Sequence, residues 1–198
     1  MLKPFSQACV NNRDFILEQL GPLLSNAKSV LEVGSGTGQH AVYFSGHLPD
    51  ITWQTSDLDE NHQGINAWIT EAGEENCLAP ISLNVADKQW LPHAVDAIFT
   101  ANSLHIMSWD YVTHFFNKVP HVLTPSGLLI AYGPFNYDGE YTSESNQRFD
   151  QLLRASNTGR GIRDIERINM LAVDNGLQFV VDHAMPANNR LIVWQYQP

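Results

Sequence analysis

Short apolar runs alternate along this chain with segments whose apolar residues recur at helical spacing. An apolar run bounded by turn residues favours a buried strand, whereas apolar residues three or four positions apart favour one face of a helix. The runs predict strands at residues 29–33, 51–57, 80–85, 95–102, 124–135, 177–185 and 190–196. The helical patterns predict helices at residues 11–24, with Asn11 or Asn12 as the N-cap, at 39–48, 60–72 and 111–123, and two more within 143–175.

The order of these elements predicts an α/β fold. Strands that alternate with helices form a mostly parallel sheet covered by helices on both faces. Only "PANN" (186–189) separates the last two strands, which suits a hairpin and makes that pair antiparallel. A dinucleotide-binding domain would normally end in another parallel strand. Because no repeat, charge block or linker interrupts the chain, residues 1–198 are expected to form a single domain.

The stretch "VLEVGSGTGQH" places Gly34, Gly36 and Gly38 between a predicted strand and a predicted helix. Such a turn brings backbone N–H groups close to a ligand, and two ligands are candidates: a dinucleotide and S-adenosylmethionine (SAM). In the dinucleotide fingerprint the third glycine follows the second by three residues, and here that position is Gln39. SAM has no pyrophosphate to place over the helix, so the shorter spacing favours SAM.

Two acidic residues flank this turn in the predicted sheet. Asp57 ends the second strand, where a carboxylate can accept hydrogen bonds from ribose hydroxyls. It could instead cap the next helix, and Asp59 competes for either role. Glu32 lies inside the apolar first strand, where a buried carboxylate needs a partner. The ammonium group of SAM is one partner, and a purely structural carboxylate is the alternative.

The segments "LEVGSGTG" and "LTPSGLLIAYGPF" resemble motifs of class I SAM-dependent methyltransferases. Several longer segments, among them "SGTGQHAVYF", "ANSLHIMSW", "YGPFNYDGEYTSESNQRFDQLLR" and "MPANN", resemble the family of the methyltransferase-like protein 26, from about residue 11 to 189. The resemblance implies a Rossmann-like sheet of order 3-2-1-4-5-7-6 with an antiparallel last strand. It also implies SAM as cofactor and S-adenosylhomocysteine (SAH) as product, and it indicates little about the substrate.

One position departs from this family. Its third strand commonly ends in an aspartate, and this chain has Asn84 there. An amide oxygen can still accept a hydrogen bond from the adenine amino group, although without the help of a charge. Backbone groups of Val85 are the alternative contact for the adenine.

Candidate substrate residues follow the fourth and fifth strands, because ligands lie beyond the carboxyl ends of strands in such sheets. Asn102 is a candidate for contact with both cofactor and substrate, and His105 is the preferred general base because imidazole titrates near neutral pH. Tyr132 is a further catalytic candidate; it and Phe135 could wall the pocket or simply pack in the core. Other substrate-pocket candidates are Asn12, Arg13, Asn146 and Arg163, of which the last two could instead join a structural ion-pair network.

Composition narrows the class of partner. The 198 residues carry a net charge of −10 with scattered basic residues, which favours a small-molecule substrate over nucleic acid and disfavours an anionic membrane surface. Two isolated cysteines and the histidine spacing predict no metal site, and the absence of a secretory signal predicts a cytoplasmic protein. The sequence therefore predicts a SAM-dependent methyltransferase of undetermined oligomeric state. A non-catalytic SAM- or SAH-binding sensor or partner subunit and a nucleotide-dependent oxidoreductase stay open as alternatives.

Overall fold

The structure is a computed structural model that describes residues 3–91 and 93–198. Its helices are α1 (Gln7–Leu23), α2 (Gln39–His47), α3 (Asp59–Ala72), α4 (Trp109–Lys118), α5 (Glu144–Ser156) and α6 (Ile165–Asp174). Its strands are β1 (Ser29–Val33), β2 (Thr52–Asp57), β3 (Cys77–Ser82), β4 (Val95–Ala101), β5 (Leu123–Gly133), β6 (Phe135–Asn136), β7 (Arg163–Asp164), β8 (Leu177–Met185) and β9 (Asn189–Tyr196).

Seven of these strands form one sheet of order β3-β2-β1-β4-β5-β9-β8. Strands β1 to β5 pair in parallel, and β9 pairs antiparallel with both β5 and β8. Because β6 and β7 lie outside this sheet, β8 and β9 are its sixth and seventh strands. The order is therefore 3-2-1-4-5-7-6, and the prediction is confirmed. The chain reverses its direction of travel across the sheet between β1 and β4, and ligands of open parallel sheets bind beyond the strand ends at such a point.

Both faces of the sheet are buried, which explains the nearly continuous apolar runs in the sequence. On one face Phe115 and Phe116 of α4 pack with Trp194 of β9 in one apolar cluster. On the other face Phe44 of α2 and Trp53 of β2 belong to a second cluster, to which α1 contributes. Within the described residues, no helix is both long enough and apolar enough to cross a membrane.

The N-terminal helix begins earlier than predicted. Its N-cap is Ser6, whose hydroxyl accepts a hydrogen bond from the Cys9 N–H at 3.4 Å. The predicted caps Asn11 and Asn12 are wrong, because both lie inside the helix. The side chain of Asn12 is therefore available for a long-range contact, which is described below.

Strand β3 is displaced toward the N-terminus from its predicted position. It pairs Cys77 and Leu78 with Trp53 and Gln54 of β2 and ends at Ser82, so residues 83–85 form a loop. The strand includes Pro80, which lacks a backbone N–H; an edge position tolerates this loss, and β3 is at the sheet edge. The predicted segment 80–85 therefore held the end of the strand and the start of a loop.

A two-stranded parallel pair, β6 with β7, was absent from the prediction. It joins Phe135, just after β5, to Arg163, just before α6. Two-residue strands leave no periodicity that a sequence pattern can report. The terminal hairpin was predicted and is confirmed, with a 3-10 turn at Pro186–Asn188 in which Ala187 and Asn188 have φ values of 57° and 58°.

Candidate functional site

Two adjoining cavities open at the carboxyl ends of the parallel strands. The first, of about 680 Å³, lies toward β2 and β3 and is called the β2-side cavity; Asp57, Leu83 and Ser103 are among its lining residues. The second, of about 660 Å³, lies toward α1 and is called the α1-side cavity; it is lined among others by His105, Tyr132 and Phe149. Both cavities share the lining residues Gly34, Gly36, Ala101 and Asn102. The glycine turn and Asn102 therefore form the boundary between them.

The three glycines of the turn all have positive φ, but a Cβ at each would meet a different environment. A Cβ on Gly34, at φ +78°, would lie 2.8 Å from Ser103 Oγ, whereas a Cβ on Gly36, at φ +57°, would meet nothing within 4 Å. A Cβ on Gly38, at φ +87°, would lie 2.9 Å from Ile65 Cα, because α2 packs closely on α3 there. Gly34 and Gly36 thus face the cavities, whereas Gly38 lines neither of them and serves helix packing.

Asp57 is fixed at the wall of the β2-side cavity. Its Oδ2 accepts from the Gly36 N–H at 2.7 Å, and its Oδ1 accepts from the Leu58 N–H at 2.7 Å and from Asn61 Nδ2 at 2.8 Å. A carboxylate has about four acceptor sites, so one remains for a ligand hydroxyl. The N-cap of α3 is Leu58, which leaves Asp57 outside the capping position.

Glu32 lies behind the turn and lines neither cavity. Its Oε2 accepts from Ser35 Oγ at 3.0 Å and from Trp53 Nε1 at 3.1 Å, so protein side chains partner this carboxylate. Burial, with a smaller contribution from the nearby Asp57 charge, raises the pKa of Glu32 to about 7. Glu32 therefore contacts the turn through Ser35 and does not reach the surface of either cavity, where a ligand would bind.

Asn84 and Val85 line the β2-side cavity together with Leu83. The side-chain oxygen of Asn84 accepts from the Ala86 N–H at 3.0 Å, and the Asn84 N–H donates to Asp87 Oδ2 at 2.9 Å. The amide oxygen thus closes a local turn after β3. This bond uses one of its acceptor sites and so reduces its capacity to accept the expected hydrogen bond from the adenine amino group.

Asn102 has a left-handed backbone, with φ +58°, at the point where the two cavities meet. Its N–H donates to the Tyr132 carbonyl at 2.8 Å, which ties the end of β4 to β5. Asparagine tolerates this conformation better than most residues, and such backbone positions cluster at functional sites. A Cβ built on the neighbouring Gly133 would lie 3.6 Å from Asn102 Oδ1 and 3.7 Å from His105 Nδ1, so both polar atoms converge above that glycine.

His105 projects into the α1-side cavity as a neutral imidazole. It is 5% exposed, its ring lies edge-on to Phe149 at 5.3 Å, and its ring nitrogens have no hydrogen-bond partner among the described residues. Burial, reinforced by the Arg163 charge, lowers the pKa of His105 to about 4. The expectation that this imidazole titrates near neutral pH is therefore wrong, because the buried cavity disfavours the imidazolium.

Tyr132 lies buried beside two asparagine side chains. Burial raises the pKa of the Tyr132 hydroxyl, and the nearby amides of Asn12 and Asn189 oppose that shift. Since the raised pKa keeps this hydroxyl protonated at neutral pH, it has a proton to donate. Tyr132 is thus a hydrogen-bond donor toward the α1-side cavity and not a base.

Sequence analysis missed His40, which lines the α1-side cavity and is 5% exposed. Its Nε2 lies 2.7 Å from Asn12 Oδ1, and its ring stacks on Phe44 with centroids 5.2 Å apart. Burial, with a smaller contribution from the Arg13 charge, lowers the pKa of His40 to about 4. Its position in the first turn after the glycines was the available signal.

The substrate-pocket candidates fall into two groups. Asn12 and Asn146 line the α1-side cavity, and Asn146 Nδ2 donates to Thr142 Oγ1 at 2.8 Å and to the Asn188 carbonyl at 3.2 Å. Arg13 instead stacks on Tyr43 at 4.2 Å and lines a separate cavity of about 280 Å³.

The remaining two candidates, Phe135 and Arg163, serve the scaffold. Phe135 is 2% exposed and packs in the core. Arg163 donates to the carbonyl oxygens of Leu104, Met107 and Gly159, and so fixes the loop that carries His105. No described group of three or more His, Cys, Asp and Glu residues is placed to hold a metal ion.

Comparison with solved structures places this architecture in a known class. A putative O-methyltransferase from Nostoc punctiforme matches with a TM-score of 0.83 at 14% identity, over 94% of this chain and 56% of that one. The SAM-dependent methyltransferase SibL, in its apo form, matches with a TM-score of 0.81 at 18% identity, over 96% of this chain and 56% of that one. The protein PigF, solved with SAH, matches with a TM-score of 0.75 at 16% identity, over 92% of this chain and 57% of that one.

The sheet order and these matches define the fold as that of the class I SAM-dependent methyltransferases. The chain spans a little over half the length of the solved structures named above. Within this fold class, the chain belongs to the family described as a protein of unknown function, DUF938, whose model matches residues 3–196.

Proposed function

We propose that this protein is a SAM-dependent methyltransferase that acts on a small molecule. One observation carries the proposal: two cavities of similar volume meet at Gly34 and Asn102, one with a carboxylate fixed at its wall and one with uncharged polar groups. Methyl transfer needs two ligands held face to face with water excluded, which is largely a matter of positioning. Two cavities that share one boundary supply that arrangement.

The residues of the β2-side cavity fit the three parts of SAM. Asp57 would accept a hydrogen bond from one ribose hydroxyl at its remaining acceptor site, and Leu83 with Val85 would flank the adenine with apolar surface. The open space over Gly36, where a Cβ would meet nothing within 4 Å, leaves room for the ligand against the backbone. Gly34 and Asn102 would then hold the methionine end at the boundary between the cavities.

When bound, SAM supplies a sulfonium methyl group: the acceptor's lone pair forms the new bond to carbon, the carbon–sulfur electron pair stays on sulfur to give SAH, and the acceptor's proton is released. The chain's own contribution lies in the α1-side cavity. Tyr132 would donate to the acceptor and fix its orientation. The neutral His105 would accept the released proton in transit to water, since its ring nitrogens have no described protein partner.

The solved neighbours support the same interpretation. They include O-methyltransferases and a protein solved with SAH. The resemblance to the methyltransferase-like protein 26 family, noted from the sequence, points the same way and is part of this proposal.

Isothermal titration with SAM, SAH and NADH tests the cofactor. SAM or SAH is expected to bind near 1 μM, roughly −8 kcal/mol. Asp57→Ala is expected to weaken that binding about tenfold or more, because a charge-assisted hydrogen bond contributes about 1.5–3 kcal/mol. Asp59→Ala is the matched control: it removes a carboxylate two residues away whose side chain is 80% exposed and outside the cavity lining.

Three outcomes separate the proposal from its alternatives. Binding of SAM that Asp57→Ala weakens and Asp59→Ala leaves unchanged supports the proposal. Binding of NADH alone would revive the oxidoreductase alternative. Binding of SAM without methylation of any acceptor in a metabolite screen would favour a sensor or partner subunit.

A further inference from the structure

The α1-side cavity is lined without formal charge. No described residue of its lining is Asp, Glu, Lys or Arg. Charged residues make up 16% of the chain, and the adjoining β2-side cavity includes Asp57, Glu60 and Arg160 in its lining. The absence of charge is therefore a property of one cavity and not of the whole site.

The titratable groups of this cavity are also uncharged at neutral pH. Burial lowers the pKa of both His40 and His105 to about 4, which keeps both imidazoles neutral. Burial raises the pKa of the Cys9 thiol and of the Tyr132 hydroxyl, which keeps both protonated. A charged ligand group that entered would lose its hydration and find no opposite charge, and burial of an unpaired charge is strongly unfavourable.

Two polar side chains of the cavity, Tyr132 and His105, are suited to hydrogen-bond with a single hydroxyl of a ligand. Tyr132 lines the cavity and has a proton to donate at neutral pH, because burial raises the pKa of its hydroxyl. His105 has ring nitrogens without a described protein partner and is buried, with only 5% of its surface exposed. A hydroxyl accepts one hydrogen bond and donates another, so it satisfies both groups at once.

The apolar lining of the cavity and the low basicity of His105 favour a methyl acceptor with an aromatic hydroxyl. Phe149 and Pro134 present apolar surface in the same cavity, and aromatic rings pack well against such surface. A phenol, with a pKa of about 10, gives up its proton to a neutral imidazole far more readily than an aliphatic alcohol does. Both features point away from sugars and other aliphatic alcohols.

From these observations we propose that the α1-side cavity selects an uncharged phenol, whose hydroxyl lies between Tyr132 and His105. The inference rests on the proposed function, because it assigns the acceptor to the cavity that adjoins the SAM site. Selection comes from the cost of burying a charge without a partner rather than from a specific attraction.

Three phenols of nearly equal size test the charge requirement. Tyrosol is uncharged at neutral pH, tyramine carries an ammonium and phloretate carries a carboxylate. Each is titrated into the protein saturated with SAH, and tyrosol is expected to bind about tenfold more tightly than either charged probe. The preceding SAH titration reports on the proposed function by itself. If SAH does not bind, the phenols are titrated into the protein alone, and the preference is evaluated in the same way.

Ser145→Asp adds a carboxylate to the cavity rim with little risk to the fold. Ser145 is exposed and lies in the first turn of α5, where an acidic side chain favours a helix N-terminus. The variant is expected to lower the ratio of the tyrosol affinity to the tyramine affinity about threefold. Asn117→Asp, on the exposed surface of α4, adds the same charge outside the cavities and is expected to leave the preference unchanged.

Two results would overturn the inference. One is binding of tyramine or phloretate to the unmodified protein as tightly as tyrosol. The other is failure of all three phenols to bind, which would exclude a phenol acceptor while leaving any observed SAH binding, and so the proposed function, in place.

Discussion

Single residues of the glycine turn carry distinct physical roles, and substitutions can separate them. Gly36→Ala places a methyl group in open space at φ +57°, so its cost is backbone strain of about 1 kcal/mol. Gly38→Ala adds a close contact with the Ile65 backbone at 2.9 Å, and we expect it to lower the free energy of unfolding by about 2–4 kcal/mol. Urea denaturation of both variants measures this difference; equal losses would contradict the separate role of Gly38.

Glu32 predicts a pH dependence of stability. The pKa of this carboxyl is raised to about 7 in the folded protein, above its value near 4.5 in an unfolded chain. The folded state therefore holds a proton that the unfolded state has lost between those values, and stability falls as pH rises from about 4.5 to 7. Glu32→Gln removes this titration while it keeps an acceptor for Trp53 and Ser35.

The variant is expected to gain stability relative to the unmodified protein as pH rises, by an amount on the order of 1–3 kcal/mol at pH 8 and close to zero at pH 4.5. Chemical denaturation at several pH values measures the difference. A stability difference independent of pH would show that Glu32 is ionised throughout, and would contradict the structural description.

At the scale of elements, α1 forms one wall of the α1-side cavity, and Gln39 holds its N-terminal end in place. Gln39 Oε1 accepts from the Ser6 N–H at 2.5 Å, and Gln39 Nε2 donates to the Ser6 carbonyl at 3.3 Å. Gln39→Ala removes both bonds, and we expect faster amide hydrogen exchange at the start of α1 and a loss of about 1–2 kcal/mol in stability. Gln7→Ala, an exposed residue of the same helix, is the control, and equal exchange in both variants would contradict this role.

The loop between β4 and α4, which carries His105, depends on Arg163 for its position. This guanidinium donates to the carbonyls of Leu104 and Met107, on either side of His105, and to that of Gly159, so Arg163→Met keeps much of the packing and leaves three carbonyls without this partner. A loss of about 2–4 kcal/mol in the free energy of unfolding is expected, with a shift of the His105 NMR signals. Unchanged His105 signals would contradict the positioning role of Arg163.

The strands of the main sheet and its terminal hairpin could be predicted because each of these strands leaves an apolar run and the hairpin has a four-residue connection. The order of the strands in the sheet came from the family resemblance. Contacts between distant segments could not be predicted in the same way. Asn12 was interpreted as a cap because asparagine favours caps, yet its side chain meets His40 from another helix. Gly38 was assigned to the ligand because its position in the motif does not reveal that α3 packs behind it.

Across the whole molecule, the two cavities differ in charge and are suited to different ligands. The fold places the ends of β1, β4 and β5 together, α1 and the terminal hairpin close one side, and the loop after β3 closes the other. The charged groups Asp57, Glu60 and Arg160 all lie in the β2-side cavity. A nucleoside ligand on that side and an uncharged acceptor on the other follow from the same distribution of charge.

A crystal structure of the protein grown with SAH tests this division most directly. We expect a ribose hydroxyl within hydrogen-bond distance of Asp57, the adenine beside Val85, and the sulfur at Gly34 and Asn102, facing the α1-side cavity. SAH bound with its adenosine in the α1-side cavity, or with its sulfur away from Asn102, would contradict the assignment of the two cavities.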